Sequence, residues 1–347
     1  MNQINTALCS YGMSGTVFHA PFISIHPGFN FYGVWERSKN LAQEKYPAVK
    51  VFRTYEEMLM DPAVELVVVN TPSYTHYDYA KQALVAGKNV IVEKPFTATV
   101  EQARELVSIA KENDLKLSVF QNRRWDSDFL TVKSVLDSGV LGDILEAEFH
   151  YDRYNLVLSP KAHKETPGPA VGGLYDLGPH LIDQALVLFG MPERVFADIM
   201  MTRPGSKVDD YFEILLYYPQ MRVRLKSGYQ FREPIPSFAL HGSNGSFLKS
   251  RADVQETRLQ AGVSPTADDW GVEPVSQQGL LHATIDGTVF RGMIPTLPGN
   301  YLNYYDGVYK AFRLGDALPV SGVDGLNVIT IIASSQKSNA EKRVVDL

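Results

Sequence analysis

The sequence lacks the features that assign a chain to several large classes. Its 347 residues hold one cysteine, Cys9, so no disulfide forms within the chain and nothing ties it to an oxidising compartment. An excess of one charge is missing: 33 basic against 39 acidic residues leave a formal −6, without long runs of either sign. Such a patch-free surface suits neither nucleic acid nor a membrane surface. No apolar run approaches the roughly 20 residues of a membrane span; those near Leu66 and Val328 are short and broken. Met1 to Thr6 show no basic stretch followed by an apolar one, which predicts a chain without a secretory leader, working in the cytoplasm. Paired cysteines, H-x-x-E-H spacing and a G-x-S-x-G elbow are missing too. His163, His180, His241 and His282 are scattered, so neither a metal centre nor an acyl-transfer triad is expected. There is no internal repeat.

What is present is globular material, 45% hydrophobic and long enough for two domains. The first 120 residues alternate strand-like and helix-like stretches. Strands are predicted at 4–9, 29–35, 49–52, 65–70, 88–93 and 116–120. Helices are predicted at 15–25, 40–46, 55–60, 77–86 and 100–113. Runs such as Leu66-Val67-Val68-Val69 and Val90-Ile91-Val92 are apolar on both faces, as a covered parallel sheet requires. Thr99 stands where a helix cap belongs, and Gly87 where a helix needs a left-handed stop. The pattern predicts an α/β amino-terminal domain over 1–121, a doubly wound parallel sheet of Rossmann type.

Beyond residue 121 the rhythm changes. Helices are predicted at 126–138, 174–189, 301–313 and 325–338. A strand is expected over 144–154, followed by others at 195–201, 211–217, 222–228 and 237–241, while 250–300 reads as long loops. Consecutive strands predict an α+β domain over 122–347 with an open, mostly antiparallel sheet. Its closing helix is expected to pack back toward the first domain.

The first strand runs into Ser10-Tyr11-Gly12-Met13-Ser14-Gly15, and a helix follows. Set against G-x-G-x-x-G, the second and third glycines are present and Ser10 replaces the first. A glycine in the middle lets backbone approach a pyrophosphate, and the last lets helix pack on strand. Helix amides then face the phosphates. The second strand ends in Glu36-Arg37-Ser38. An acid there holds a ribose diol and favours NAD; Arg37 beside it favours NADP, or is simply solvated. We expect NAD, with NADP as the alternative. Asn70, Thr71 and Pro72 follow the fourth strand, at the sheet edge where ligands lie, with His76 starting the next helix.

The fifth strand ends in Glu93-Lys94-Pro95, and far downstream comes Gly172-Gly173-Leu174-Tyr175-Asp176-Leu177-Gly178-Pro179-His180. Together with the glycine turn, these blocks resemble the Gfo/Idh/MocA oxidoreductase family over nearly the whole chain. The resemblance implies NAD or NADP, sugar, cyclic-polyol or related ketone substrates, and a homodimer or homotetramer formed through the carboxyl-terminal sheet. It implies a catalytic Lys94 with an Asp176/His180 pair, and often a cis bond before Pro95. It also places Gln121 to Trp125 at the substrate, making Asn122 a cofactor contact and Arg124 a substrate contact.

The residues carry this chemistry physically. Oxidising an alcohol needs a base with a pKa near neutrality, and histidine meets that need. An ammonium at a strand's carboxyl end can stabilise a developing alkoxide. Asp176 and His180 are four apart on one predicted helix, so both side chains share a face one turn apart. Asp183, a turn on, either joins them or caps. Tyr151, Arg153, Tyr154 and Tyr175 are expected to meet a hydroxylated ring. The alternatives are a glycosidase-type enzyme that uses NAD transiently for elimination, and a non-catalytic dinucleotide sensor. Lys94, Asp176 and His180 together count against the sensor.

Overall fold

The computed structural model describes residues 3–347, except that the side chains of Ala162 and His163 fall outside the description. The chain divides into two units, each discontinuous in sequence. One comprises the chain up to residue 122 with 255–270 and 300–326; the other comprises 123–254, 271–299 and 327–347.

The first unit holds strands β1 (Ile4–Leu8), β2 (Phe29–Trp35), β3 (Lys50–Phe52), β4 (Leu66–Val69), β5 (Asn89–Glu93) and β6 (Leu117–Phe120). All pair in parallel in the order β3-β2-β1-β4-β5-β6. The crossover between β1 and β4 opens a crevice at the strands' carboxyl ends, where such sheets bind ligands. Every residue of β4 is buried, as its unbroken apolar run demands. Helices α1 (Ala20–Ile25), α2 (Leu41–Lys45), α3 (Tyr55–Met60), α4 (His76–Val85) and α5 (Val100–Glu112) alternate with the strands. Thr54 and Glu57 form a reciprocal capping box on α3, the Thr99 hydroxyl accepts from Gln102 N, and Gly87 follows α4 at φ +75°. An aromatic cluster forms part of this core. Phe22 stacks on Tyr305 at 5.9 Å, and Tyr304 meets Phe120 edge-on at 4.9 Å. Each such ring, buried, contributes about 1.5–3 kcal/mol.

The second unit carries β7 (Ile144–His150), β8 (Arg194–Met200), β9 (Tyr211–Tyr217), β10 (Arg222–Gly228), β11 (Phe238–Gly242), β12 (Gly245–Lys249), β13 (Gly279–Ile285), β14 (Thr288–Ile294) and β15 (Val345–Asp346). They order as β14-β13-β12-β11-β7-β10-β9-β8-β15, antiparallel except where β7 meets β10. Helices α6 (Ser127–Asp137), α7 (Ala162–Glu165), α8 (Gly173–Asp176) and α9 (Gly178–Phe189) belong here. The chain is completed by α10 (Val254–Gln260), α11 (Leu302–Arg313) in the first unit, and α12 (Gly322–Glu341), which starts in the first unit and ends in the second.

Three sequence expectations need correction. The stretch 250–300 is not all loop: it holds α10 and the β13–β14 hairpin. That hairpin turns on Asp286 and Gly287, both at positive φ (49° and 76°), a two-residue connection suited to strand twist. The strand over 144–154 ends at His150; Tyr154 keeps a single bridge to Gln230. The helix over 174–189 is broken at Leu177, because Pro179 has no N–H to continue the ladder. His180 N bonds Leu177 O, three residues back, at 3.2 Å. Asp176 and His180 therefore sit on consecutive helical segments.

Candidate active site

The phosphate turn follows β1. Neither Gly12 nor Gly15 has positive φ, so these glycines serve space rather than conformation. A Cβ on Gly15 would lie 2.4 Å from Ser10 O and 3.0 Å from Asn70 Nδ2. A Cβ on Gly12 would meet nothing nearer than 3.9 Å, leaving open the cradle that a pyrophosphate needs. Asn70, at the end of β4, clamps the turn: its Oδ1 accepts from Ser10 N and its Nδ2 donates to Ser10 O, both at 2.9 Å. The Ser10 hydroxyl donates to Asn70 O, which accounts for a serine where the motif has glycine. Tyr11 is half-buried and Met13 exposed on the same turn. The Tyr11 phenol is pushed up to about 12 by burial, then by Tyr46, Glu36 and Glu44.

The turn is tied to β5 through Glu93. One carboxylate oxygen accepts from the Ser14 hydroxyl at 2.5 Å and from His19 Nε2 at 3.1 Å; the other accepts from Lys94 N at 3.1 Å. Burial favours the neutral acid, but His19, Ser14 and the Lys94 charge outweigh it and hold the carboxyl below its ordinary range. Behind, Tyr305 lies 2.7 Å from His19 Nδ1. Burial keeps that phenol protonated. His19 ends a π-helical turn, Gly15–His19, whose wider ladder adds a residue to the turn before α1. The Lys94–Pro95 bond is cis.

His76 is wholly buried, with Nδ1 2.8 Å from Pro95 O and Nε2 2.9 Å from Thr71 O. Burial lowers its pKa, against the two carbonyls, which raise it; the ring lies between two strand ends. Thr71 accepts from the Thr75 hydroxyl at 2.7 Å, beside the exposed Pro72, and Asn122 is buried just past β6. Glu36, following β2, has each carboxylate oxygen 3.1 Å from a backbone amide of α2, Leu41 N and Ala42 N. Arg37 beside it is exposed.

In the second unit, His180 is buried in the first turn of α9, and its ring lies 6.5 Å from Tyr151, nearly parallel. Tyr151 in turn carries the guanidinium groups of Arg251 at 4.3 Å and of Arg123 and Arg153 at 5.1 Å. Its hydroxyl donates to Asp253 at 3.3 Å. Arg123 pairs with Asp126 and Asp253, and Arg251 with Asp128, each at 3.1 Å. Asp126, wholly enclosed, is pushed up by burial. Arg124 grips Asp183 with two nitrogens, at 2.8 and 2.7 Å, so this guanidinium and the buried Asp183 form one bidentate unit. Asp176 is half-exposed, 3.9 Å from Lys164, and its charge reaches Arg153 and Tyr229. Tyr175 is buried, its phenol pushed up to about 12 by burial and by Asp209. Tyr154 is exposed and accepts a hydrogen bond from Arg232.

Gly172, which precedes α8 at φ +107°, and Gly173, its first residue, lie against Asp209: a Cβ on Gly172 would lie 2.0 Å from Asp209 Oδ1. Asp209 Oδ2 accepts from Leu174 N at 2.6 Å, and burial raises this carboxyl to about 6. Sequence reasoning missed His19, Asp209 and the Arg251–Asp128–Asp253 group. The paired charges in Arg251 to Asp253 and Asp126 to Asp128 were the only local signal.

Residues 4–121 match the family described as "Oxidoreductase family, NAD-binding Rossmann fold", and residues 133–347 match its "C-terminal alpha/beta domain". The whole chain is 38% identical to scyllo-inositol 2-dehydrogenase (NADP(+)) of Bacillus subtilis, over 97% of that protein. Human trans-1,2-dihydrobenzene-1,2-diol dehydrogenase is 32% identical over 53% of the chain and 54% of its own length. Among solved structures, an oxidoreductase of Bacteroides fragilis is 46% identical with a TM-score of 0.92, each chain covered completely. One of Bacillus subtilis is 38% identical with a TM-score of 0.96, covering 100% of this chain and 99% of that one. The chain therefore belongs to the Gfo/Idh/MocA family of NAD(P)-binding oxidoreductases.

Proposed function

We propose that this chain is a dehydrogenase or reductase interconverting a hydroxyl-bearing carbon of a sugar or cyclic polyol with its ketone. The observation that carries this reading is the Glu93 carboxylate. It fixes Ser14 of the phosphate turn and the backbone of Lys94 at once, so one group sets the cofactor cradle and a catalytic cation together. The full-length similarity to an inositol dehydrogenase supports the substrate class.

A bound nicotinamide supplies the two-electron acceptor or donor. Gly12, Met13 and the amides after Gly15 take the pyrophosphate, with Tyr11, Asn70, Thr71 and Pro72 bordering it. In the oxidative direction, His180 takes the hydroxyl proton as the carbonyl forms. The Lys94 ammonium stabilises negative charge growing on that oxygen. Asp176 accepts a hydrogen bond from a neighbouring substrate hydroxyl, while the Arg124–Asp183 pair and Tyr175 shape the wall of the site.

The test is a panel of inositols, aldoses and their keto derivatives with each nicotinamide cofactor, following reduced-nicotinamide absorbance. Turnover of at least one cyclic polyol or aldose is expected. Dinucleotide binding with no redox change across the panel, or glycoside cleavage without net reduction, would replace the reading.

A further inference from the structure

The loop after β2 is built in a way that bears on which dinucleotide the chain takes, an inference that rests on the proposed dehydrogenase function. In a Rossmann unit the acid at this position holds the adenosine ribose diol, and a cation there receives a 2′-phosphate. Glu36 is the right residue type for the diol. Yet it is buried, and both of its oxygens are already taken by Leu41 N and Ala42 N. Each oxygen has a further lone pair, but turning this buried carboxylate outward to meet a diol would strip two amides at the start of α2 of their acceptors, which is unfavourable.

The rest of the loop is held open by the opposite charge. Arg53 donates to Glu36 O at 2.9 Å, to Lys39 O at 2.7 Å and to Asn40 Oδ1 at 2.5 Å, bracing the loop from beneath. Arg37, Ser38 and Lys39 are all exposed along it. Among the described residues, neither the Arg37 guanidinium nor the Lys39 ammonium has a hydrogen-bond or ion-pair partner. The carboxylate adjacent in sequence, Glu36, is turned onto α2. Two uncommitted cations flanking a hydroxyl, on a pinned loop at the adenosine end of the crevice, form a receptor for a dianion.

We propose that this chain selects the 2′-phosphorylated dinucleotide: Arg37 and Ser38 hold the 2′-phosphate, Lys39 adds charge, and Glu36 caps α2 instead of binding ribose. A guanidinium fork matches phosphate oxygens in pairs, so Arg37 is the principal contact.

Fluorescence titration of the full-length protein with NADPH and NADH tests this without turnover, and competition by 2′,5′-ADP and 5′-AMP isolates the adenosine end. NADPH is expected to bind at least about tenfold tighter than NADH, with 2′,5′-ADP the stronger competitor. Arg37→Ala should remove most of that preference while leaving NADH affinity within about twofold. Added salt should weaken NADPH more than NADH. Equal or tighter binding of NADH by the unaltered protein, or an unchanged preference in Arg37→Ala, overturns the selection of the 2′-phosphate and leaves the dehydrogenase reading standing. Failure of both dinucleotides to bind overturns both.

Discussion

His19 shows how a single side chain can organise the site without facing the ligand crevice. It is enclosed between Tyr305 and Glu93, and its Nε2–H is one of the donors that keep Glu93 ionised where burial opposes it. Removing a partner from a buried carboxylate costs about 1–3 kcal/mol. His19→Leu is therefore expected to lower thermal stability, while His19→Gln, which retains a donor, recovers most of the loss. The sign of the pH dependence follows from the direction of the shift. A carboxyl held below its ordinary value stabilises the fold above about 4.5, and that contribution is lost as pH falls through the folded-state value. The gap in melting temperature between the natural protein and His19→Leu should be widest near neutrality and close in acid. A gap that widens in acid would contradict it. His19 was not legible as a site residue, since its role depends on a histidine, a strand-end glutamate 74 residues on and a tyrosine 286 residues on converging. The placement of Gly12, Gly15 and Asn70 was legible, because each lies within a strand-to-helix connection that sequence order already fixes.

At the scale of elements, the break between α8 and α9 is the most informative difference from expectation. Apolar periodicity through Leu174, Leu177, Leu181 and Leu188 reads as one helix; Pro179 decides otherwise, and the break starts a new helix just ahead of His180. The loop–helix entry is pinned by Asp209, whose carboxyl fills the space beside Gly172 and Gly173. Its pKa is raised from 3.8 to about 6 by burial. A raised carboxyl contributes stability that is complete below about 3.8 and is lost as pH rises through about 6. Asp209→Asn cannot ionise, so the natural protein should lose ground relative to it between pH 4 and 7, by up to about 3 kcal/mol. Urea midpoints at several pH values check this; a difference independent of pH would mean that Asp209 stays ionised throughout. The Asp286-Gly287 turn carried a hairpin signal in the sequence, but Gly, Pro and Gln around it masked the flanking strands.

For the molecule as a whole, the parallel sheet was legible as a doubly wound sheet of Rossmann type, because buried β-branched runs separated by amphipathic helices admit few arrangements. The second sheet was legible as a class. Its single parallel pair, β7 with β10, was not, nor was the discontinuity of both units, which arises because residues 255–270 and 300–326 belong to the first unit. The cluster of charges around Tyr151 escaped because Arg123, Arg153 and Arg251 come from three separated stretches and converge only on folding. Among the described residues no helix is long and apolar enough to cross a membrane. The decisive measurement compares turnover with dinucleotide affinity in Lys94→Met and His180→Ala, using whichever polyol or aldose proves the best substrate. If these groups carry out proton transfer and charge stabilisation, turnover falls about a hundredfold or more in each, while dinucleotide dissociation constants stay within about threefold. Turnover near that of the natural protein in either variant would contradict the assignment.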